Sequence, residues 1–177
     1  MQLSVNLSHI ETIEPIHLRP NYKPALTHHI EDDKESALAA AEETFAAIPV
    51  AIYCNDSSVE DEVSALAVLY IRGHETKTLC YHLRPPLQHT VYEAKVIGFI
   101  LTLYLLTCLG CSLLALTIIG SDSQAAIQVL LNQHPHLDHY LLDKVHTTAK
   151  LLHAKQDQLI HVHDRTLAAC RGARWKD

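Results

Sequence analysis

Two carboxylates stand out because of what surrounds them. Glu93 in TVYEAKVIGF and Asp122 in TIIGSDSQAAI each interrupt an apolar stretch at the start of a helix-like run. Between them, Val96 to Gly120 carries no charged residue. An acid on either flank of a core segment implies convergence at the mouth of an α/β sheet, where strand ends gather side chains. Paired carboxylates there are hard oxygen donors for divalent ions, the arrangement that phosphodiester hydrolysis uses. Each acid also has a purely structural reading. Thr90-Val-Tyr-Glu93 fits the T-x-x-E capping box, and an Asp or Ser before QAAIQVL is an ordinary helix N-cap. Asn55-Asp56, after the apolar run VAIYC, is the third candidate, set against simple turn chemistry. Strand side chains alternate between faces, so only one of Asn55 and Asp56 can join the other two acids.

The remaining reactive side chains form weaker patterns. Cys108-Leu-Gly-Cys111 is a single C-x-x-C inside an apolar run, without the second pair a zinc site needs. Two buried free thiols are the expected state. HPHLDH (134–139) and HVHD (161–164) place histidines close together but offer no evident third ligand, so they read as solvated or partly packed. Only five glycines are present, with no phosphate-cradling loop and no G-x-S-x-G turn.

The elements that must position these acids follow from the periodicity. Residues 1–33 read as an extended arm, because Pro15, Pro20 and Pro24 break regular structure there. Lys34 to Ala47 is rich in helix formers. A strand VAIYC then ends in the polar stretch NDSSVEDE. Strands 63–71 and 77–83 follow, joined through Arg72 to Glu75, as an antiparallel meander. Next come helix 91–107, strand 113–119, helix 123–132, an amphipathic helix over 137–155 and a last strand at 158–163. That order predicts a mixed sheet with helices on its faces.

Composition sets further bounds. A chain of 177 residues, 48% hydrophobic, suits one globular domain with an appended arm. Its net charge of -6 and pI near 6.1 do not advertise a global electrostatic grip on nucleic acid, which leaves room for a local basic strip, and 14 histidines add positive charge in mild acid. Five irregularly spaced cysteines and no basic-then-apolar leader pattern predict a reduced, intracellular protein, nuclear or cytoplasmic. Val96 to Ile119 is long enough for a bilayer, since about 20 apolar residues suffice. A membrane-associated protein anchored there is the competing class. Gly110 and Cys111 interrupt the run and no basic cluster flanks it, so a buried helix feeding a buried strand is the expectation, with no membrane partner.

The whole pattern resembles the type-1 ribonuclease H domain carried by fungal LINE-type (non-LTR) retrotransposon polyproteins. The resemblance runs from about Ile10 to Leu152. ETIEPIHLRPNYKP is similar to that group's upstream linker, and VAIYCNDSSVEDEVSALAVLY to its first hairpin, usually IYTDGS. HTVYEAKVIGFILTLYLL is similar to the first long helix, with the family's metal-binding Glu at Glu93. IGSDSQAAIQVL closely resembles I-x-S-D-S-Q-A-A-I, with the metal-binding Asp at Asp122. The resemblance implies a linker-like arm and helix over 1–47 and a ribonuclease H-like domain over 48–177. It also implies a mixed five-stranded sheet, a three-strand meander plus parallel strands, flanked by helices. The implied chemistry is hydrolysis of the RNA strand of an RNA/DNA hybrid with two Mg²⁺ or Mn²⁺ ions, read through 2′-hydroxyls rather than base edges. Other domains of a retroelement polyprotein would be its neighbours.

The departures bear on activity. Where the family has the Asp of T-D-G-S this chain has Asn55, a neutral and weaker ligand, followed by Asp56. Asp56 replaces it only if the strand slips or bulges by one residue. The family's W-x-P-G-H and N-E-x-x-D segments have no counterpart, so the C-terminus reads as truncated or divergent, with Asp164 the weak stand-in for a final acid. An impaired hydrolase and an inactive nucleic-acid-binding relic of a retroelement are both implied.

Overall fold

In the computed structural model the described residues are 25–33, 35–36, 39–40, 43, 47–59, 62–83, 90–109, 117–131, 139–156 and 160–164. Nine elements follow one another within them: β1 (Leu26–His29), β2 (Val50–Val59), β3 (Glu62–Ile71), β4 (His74–Leu83), α1 (Val91–Leu109), β5 (Thr117–Ser121), α2 (Gln124–Leu131), α3 (His139–Gln156) and β6 (Ile160–Asp164). Within 35–47 the described positions Glu35, Ser36, Ala39, Ala40, Glu43 and Ala47 are helical, where the helix-forming composition predicts a helix.

The strands make one sheet in the order β1-β6-β5-β2-β3-β4. β2, β3 and β4 are the antiparallel meander, and β5, β6 and β1 add to it in parallel. The expected mixed sheet flanked by helices is present, with six strands rather than five. The additional strand is β1, inside the stretch read as an extended arm. Its Leu26 is buried, and pairing with β6 supplies its backbone with hydrogen-bond partners.

Two boundaries differ from expectation in ways that matter. β2 does not stop at Cys54 but continues through the polar residues to Val59, because β3 supplies an antiparallel partner along its whole length. Tertiary pairing overrides the turn preference of Asn-Asp-Ser-Ser. β5 reaches Ser121, two residues beyond the expected end, while 113–116 lie outside the described residues. The β3–β4 turn needs only Arg72 and Gly73, with φ of 51° and 77°, the two positive angles of a tight two-residue hairpin.

Strand alternation sorts the sheet into two faces. Val50, Ile52 and Cys54 of β2 join the main core with Leu69, Ile119, Val162, Phe99, Leu103, Leu106, Ile127 and Val145, so α1, α2 and α3 cover that face. Ala51 and Tyr53 point the other way, onto Val68 and Tyr70, with Tyr53 and Tyr70 edge to face at 5.8 Å. α1 is long and apolar enough by composition to cross a bilayer. Here Phe99, Leu103, Leu105 and Leu106 are buried in the core, as expected of a buried helix. Of the C-x-x-C pair, Cys108 is a free thiol but exposed, not buried as expected, because it falls on the outer side of the last turn of α1; Cys111 lies outside the described residues.

Candidate functional site

The parallel strands β2, β5 and β6 all point their C-terminal ends to one edge, where open α/β sheets collect functional groups. Their register fixes a row across that edge: Cys54 faces Ser121, and Ser121 faces Asp164. Asp56 lies one pleat beyond Cys54 on the helix-covered face. Asp122 follows Ser121 at the exit of β5. No slip is needed to bring Asp56 to this side, since the β2–β3 register is continuous from Val50 to Val59. Asn55 falls on the opposite face by the same alternation, and its Oδ1 accepts the Asp56 backbone N–H at 2.9 Å.

Glu93 lies in the first turn of α1. Glu93 and Thr90 form the capping box anticipated for them. The Thr90 backbone N–H donates to Glu93 Oε2 at 2.6 Å, and the Glu93 N–H donates to Thr90 Oγ1 at 3.1 Å. Thr90→Ala should therefore lower stability by about 1 kcal/mol, read as a shift in the denaturant midpoint with unchanged slope. Asp122 is free of the corresponding duty at α2. Ser123 Oγ accepts the Ala126 N–H at 3.2 Å and the Ser123 carbonyl accepts the Ile127 N–H, so the serine is the N-cap.

What joins the acids is Lys95. Its Nζ lies 2.5 Å from Asp56 Oδ1 and 3.3 Å from Asp122 Oδ1. Lys95 and Asp56 are largely withdrawn from solvent, at 19% and 13% exposure, whereas Asp122 at the strand exit is open to it, with its side chain 31% exposed. Burial pulls the Lys95 ammonium down, but the Asp56 hydrogen bond and the Asp122 charge more than offset this. Its pKa stands above the ordinary 10.5, so the group is charged at neutral pH. Asp164 is buried, and its Oδ2 accepts the Gln124 amide at 2.5 Å. Cys54, below the junction, donates to the Gly120 carbonyl at 3.6 Å, and burial pushes its thiol up to about 12. It is a packing residue at neutral pH.

Lys95 was not anticipated, although two signals point to it. Lys95, Phe99, Thr102 and Leu106 share one face of α1, and the last three are buried. A cation that begins a buried stripe requires a paired anion. Lysine in the first turns of a helix also opposes the helix dipole, which again calls for a nearby carboxylate.

The resemblance implies divalent ions at these acids. Asp56 and Asp122 are suitable hard donors, but the group at their meeting point is an ammonium, which is neither a donor to a metal nor electrostatically compatible with one. Among the described residues no three His, Cys, Asp or Glu side chains come together to hold an ion. Glu93, Asp122 and Asp56 thus do not assemble the expected Mg²⁺ or Mn²⁺ set, and the site as it stands does not fit a divalent cation. On β6, Asp164 ends the strand beside α2 and HVHD places His161 and His163 6.5 Å apart, ring to ring, without a metal-holding group.

Neither a protein-family model nor a curated protein sequence matches the chain. Solved structures do resemble it. Ribonuclease H1 from the halophilic archaeon Halobacterium salinarum NRC-1 superposes with a TM-score of 0.51 and 18% identity, over 69% of this chain and 89% of that one. LC11 ribonuclease H1, solved in complex with an RNA/DNA hybrid, gives 0.52 and 15%, over 69% and 89%. The foamy viral protease-reverse transcriptase, solved with dsDNA, gives 0.54 and 12%, over 72% and 88%. With this sheet order, these flanking helices and these neighbours, the chain has the ribonuclease H-like fold.

Proposed function

We propose that this ribonuclease H-like domain binds RNA/DNA hybrids by shape and does not hydrolyse them. The observation that carries the second half is the Lys95 ammonium between Asp56 and Asp122. A nuclease of this fold needs metal at its clustered acids to activate water and stabilise the leaving oxygen. Here the two best-placed carboxylates are already neutralised in part by a tethered cation. Binding is supported by the fold and by the complexes in which neighbours of that fold were solved. It is also supported by the lowered local charge, since one ammonium against two carboxylates repels a phosphate backbone less than two bare acids. We further propose an origin in a retroelement polyprotein of the fungal LINE type. Its support is the sequence HTVYEAKVIGFILTLYLL and IGSDSQAAIQVL.

The test is a labelled RNA/DNA hybrid offered beside duplex DNA of the same sequence, with Mg²⁺ and then Mn²⁺. The expected result is salt-sensitive, hybrid-preferring retention at micromolar protein with both strands intact. Ion-dependent cutting of the RNA strand by the native chain would sink the non-hydrolytic half. Equal or absent retention of the two duplexes would sink the binding half.

A further inference from the structure

We infer that the junction of Asp56 and Asp122 is a latent divalent-cation site, held closed by the Lys95 ammonium acting as a built-in counter-ion. This rests on the Lys95 geometry and not on hybrid binding. Three elements meet at the junction: Asp56 from the far end of β2, Asp122 from the exit of β5, and Lys95 from the first turns of α1. Both aspartates turn Oδ1 towards the same nitrogen, so a point exists that two hard oxygen donors already share. The seat of α1 is firm. Gly98, one turn further along, packs its Cα side against Cys54 so closely that an added Cβ would sit 3.2 Å from Cys54 Cβ. The backbone at position 95 is therefore held over the two acids.

A tethered ammonium at that point outcompetes an ion from solution. It arrives with the fold at high effective concentration. An incoming Mg²⁺ must shed water and also displace a hydrogen-bonded charge, and Mg²⁺ dehydrates reluctantly. Reversing the charge at this one position reverses the preference. A glutamate side chain is one bond shorter than lysine's, and an ion bonded at about 2.1 Å fills the difference. The new carboxylate would complete three hard ligands from three elements, with Asp164 on the neighbouring strand end. It would also suit the positive end of α1, which the lysine opposes.

The experiment titrates Mn²⁺ against the native chain, Lys95→Glu, Lys95→Met, and Lys95→Glu combined with Asp122→Asn. The readouts are the loss of the free-Mn²⁺ electron paramagnetic resonance signal and the thermal unfolding midpoint with and without EDTA. The expected result is no midpoint response in the native chain and Mn²⁺ binding at least about tenfold tighter in Lys95→Glu. That gain should be lost by about tenfold or more when Asp122→Asn is added. If three close carboxylates keep Lys95→Glu from folding in EDTA, its recovery on adding Mn²⁺ supports the same conclusion. Lys95→Met then serves as the folded comparison and should bind Mn²⁺ more weakly than Lys95→Glu but more tightly than the native chain. Native binding as tight as that of Lys95→Glu would overturn the inference. So would folded Lys95→Glu and Lys95→Met chains that both bind no better than the native one.

Discussion

Gly98→Val should destabilise the protein by about 2–3 kcal/mol and loosen the Lys95 junction with it. A Cβ at position 98 would meet Cys54 Cβ at 3.2 Å, the Leu66 carbonyl oxygen at 3.6 Å and the Asn55 carbonyl oxygen at 3.8 Å. Alanine there is a near balance. It gains up to about 1 kcal/mol from replacing glycine in a helix and loses a similar amount to the tight contact with Cys54. Valine adds two further methyl groups in a β-branched shape, aimed at strand backbone that has no freedom to move. Overpacking of this kind costs about 1–3 kcal/mol, and the stiff side chain has no rotamer that escapes. The relief available is for α1 to retreat from β2, which carries Lys95 away from Asp56 and Asp122. Urea unfolding of the native chain, Gly98→Ala and Gly98→Val checks this. A valine variant as stable as the native chain would mean that α1 is not seated on β2 as described.

Lys95→Met should cost about 2 kcal/mol at neutral pH. Methionine retains the length and apolar stem of lysine, so the loss isolates the ammonium. Removing one partner from a fully buried ion pair costs about 3–5 kcal/mol, whereas exposed pairs contribute about 0–1. The trio lies between these limits, with the lysine 19% and Asp122 31% exposed. Without the ammonium, Asp56 and Asp122 are left as like charges across a shared, partly solvated gap. Neutralising one of them should return part of the loss, so Lys95→Met with Asp56→Asn is expected to be more stable than Lys95→Met alone. The pH dependence follows from the raised lysine pKa. Its contribution is complete below the ordinary value of 10.5 and is lost as pH climbs through the higher folded value. The gap between native and Lys95→Met chains should stay steady from neutral pH to about 9 and narrow only in strong alkali. A gap that closes by pH 8 would contradict the pairing.

These two variants act on contacts of very different legibility. The helix-covered sheet could be read from alternation in VAIYC and VSALAVLYI and from the apolar stripe of 91–107. Burying those side chains is the dominant favourable term, and periodicity reports it directly. The capping box at Thr90 and Glu93 was equally local, a matter of four consecutive residues. β1 was hidden because a four-residue edge strand has little pattern of its own, and only Ile160 to His163 of β6 complete it.

The candidate site divides in the same way. Its location at the ends of β2 and β5, with Asp122 at the exit of β5, came from local sequence. Asp56 was distinguishable from Asn55 only once β2 was known to run on past Cys54, since a turn there would have broken the alternation. The partnership of Lys95 with Asp56 and Asp122 joins residues 39 and 27 positions apart. Nothing local encodes such a distance. By itself the sequence determined the element types, the caps and the acidic character of one sheet edge, because those depend on propensity and burial over a few residues. Only the tertiary structure decided which charged groups meet, because close packing at Gly98 and the parallel register of β2 and β5 set where each side chain ends.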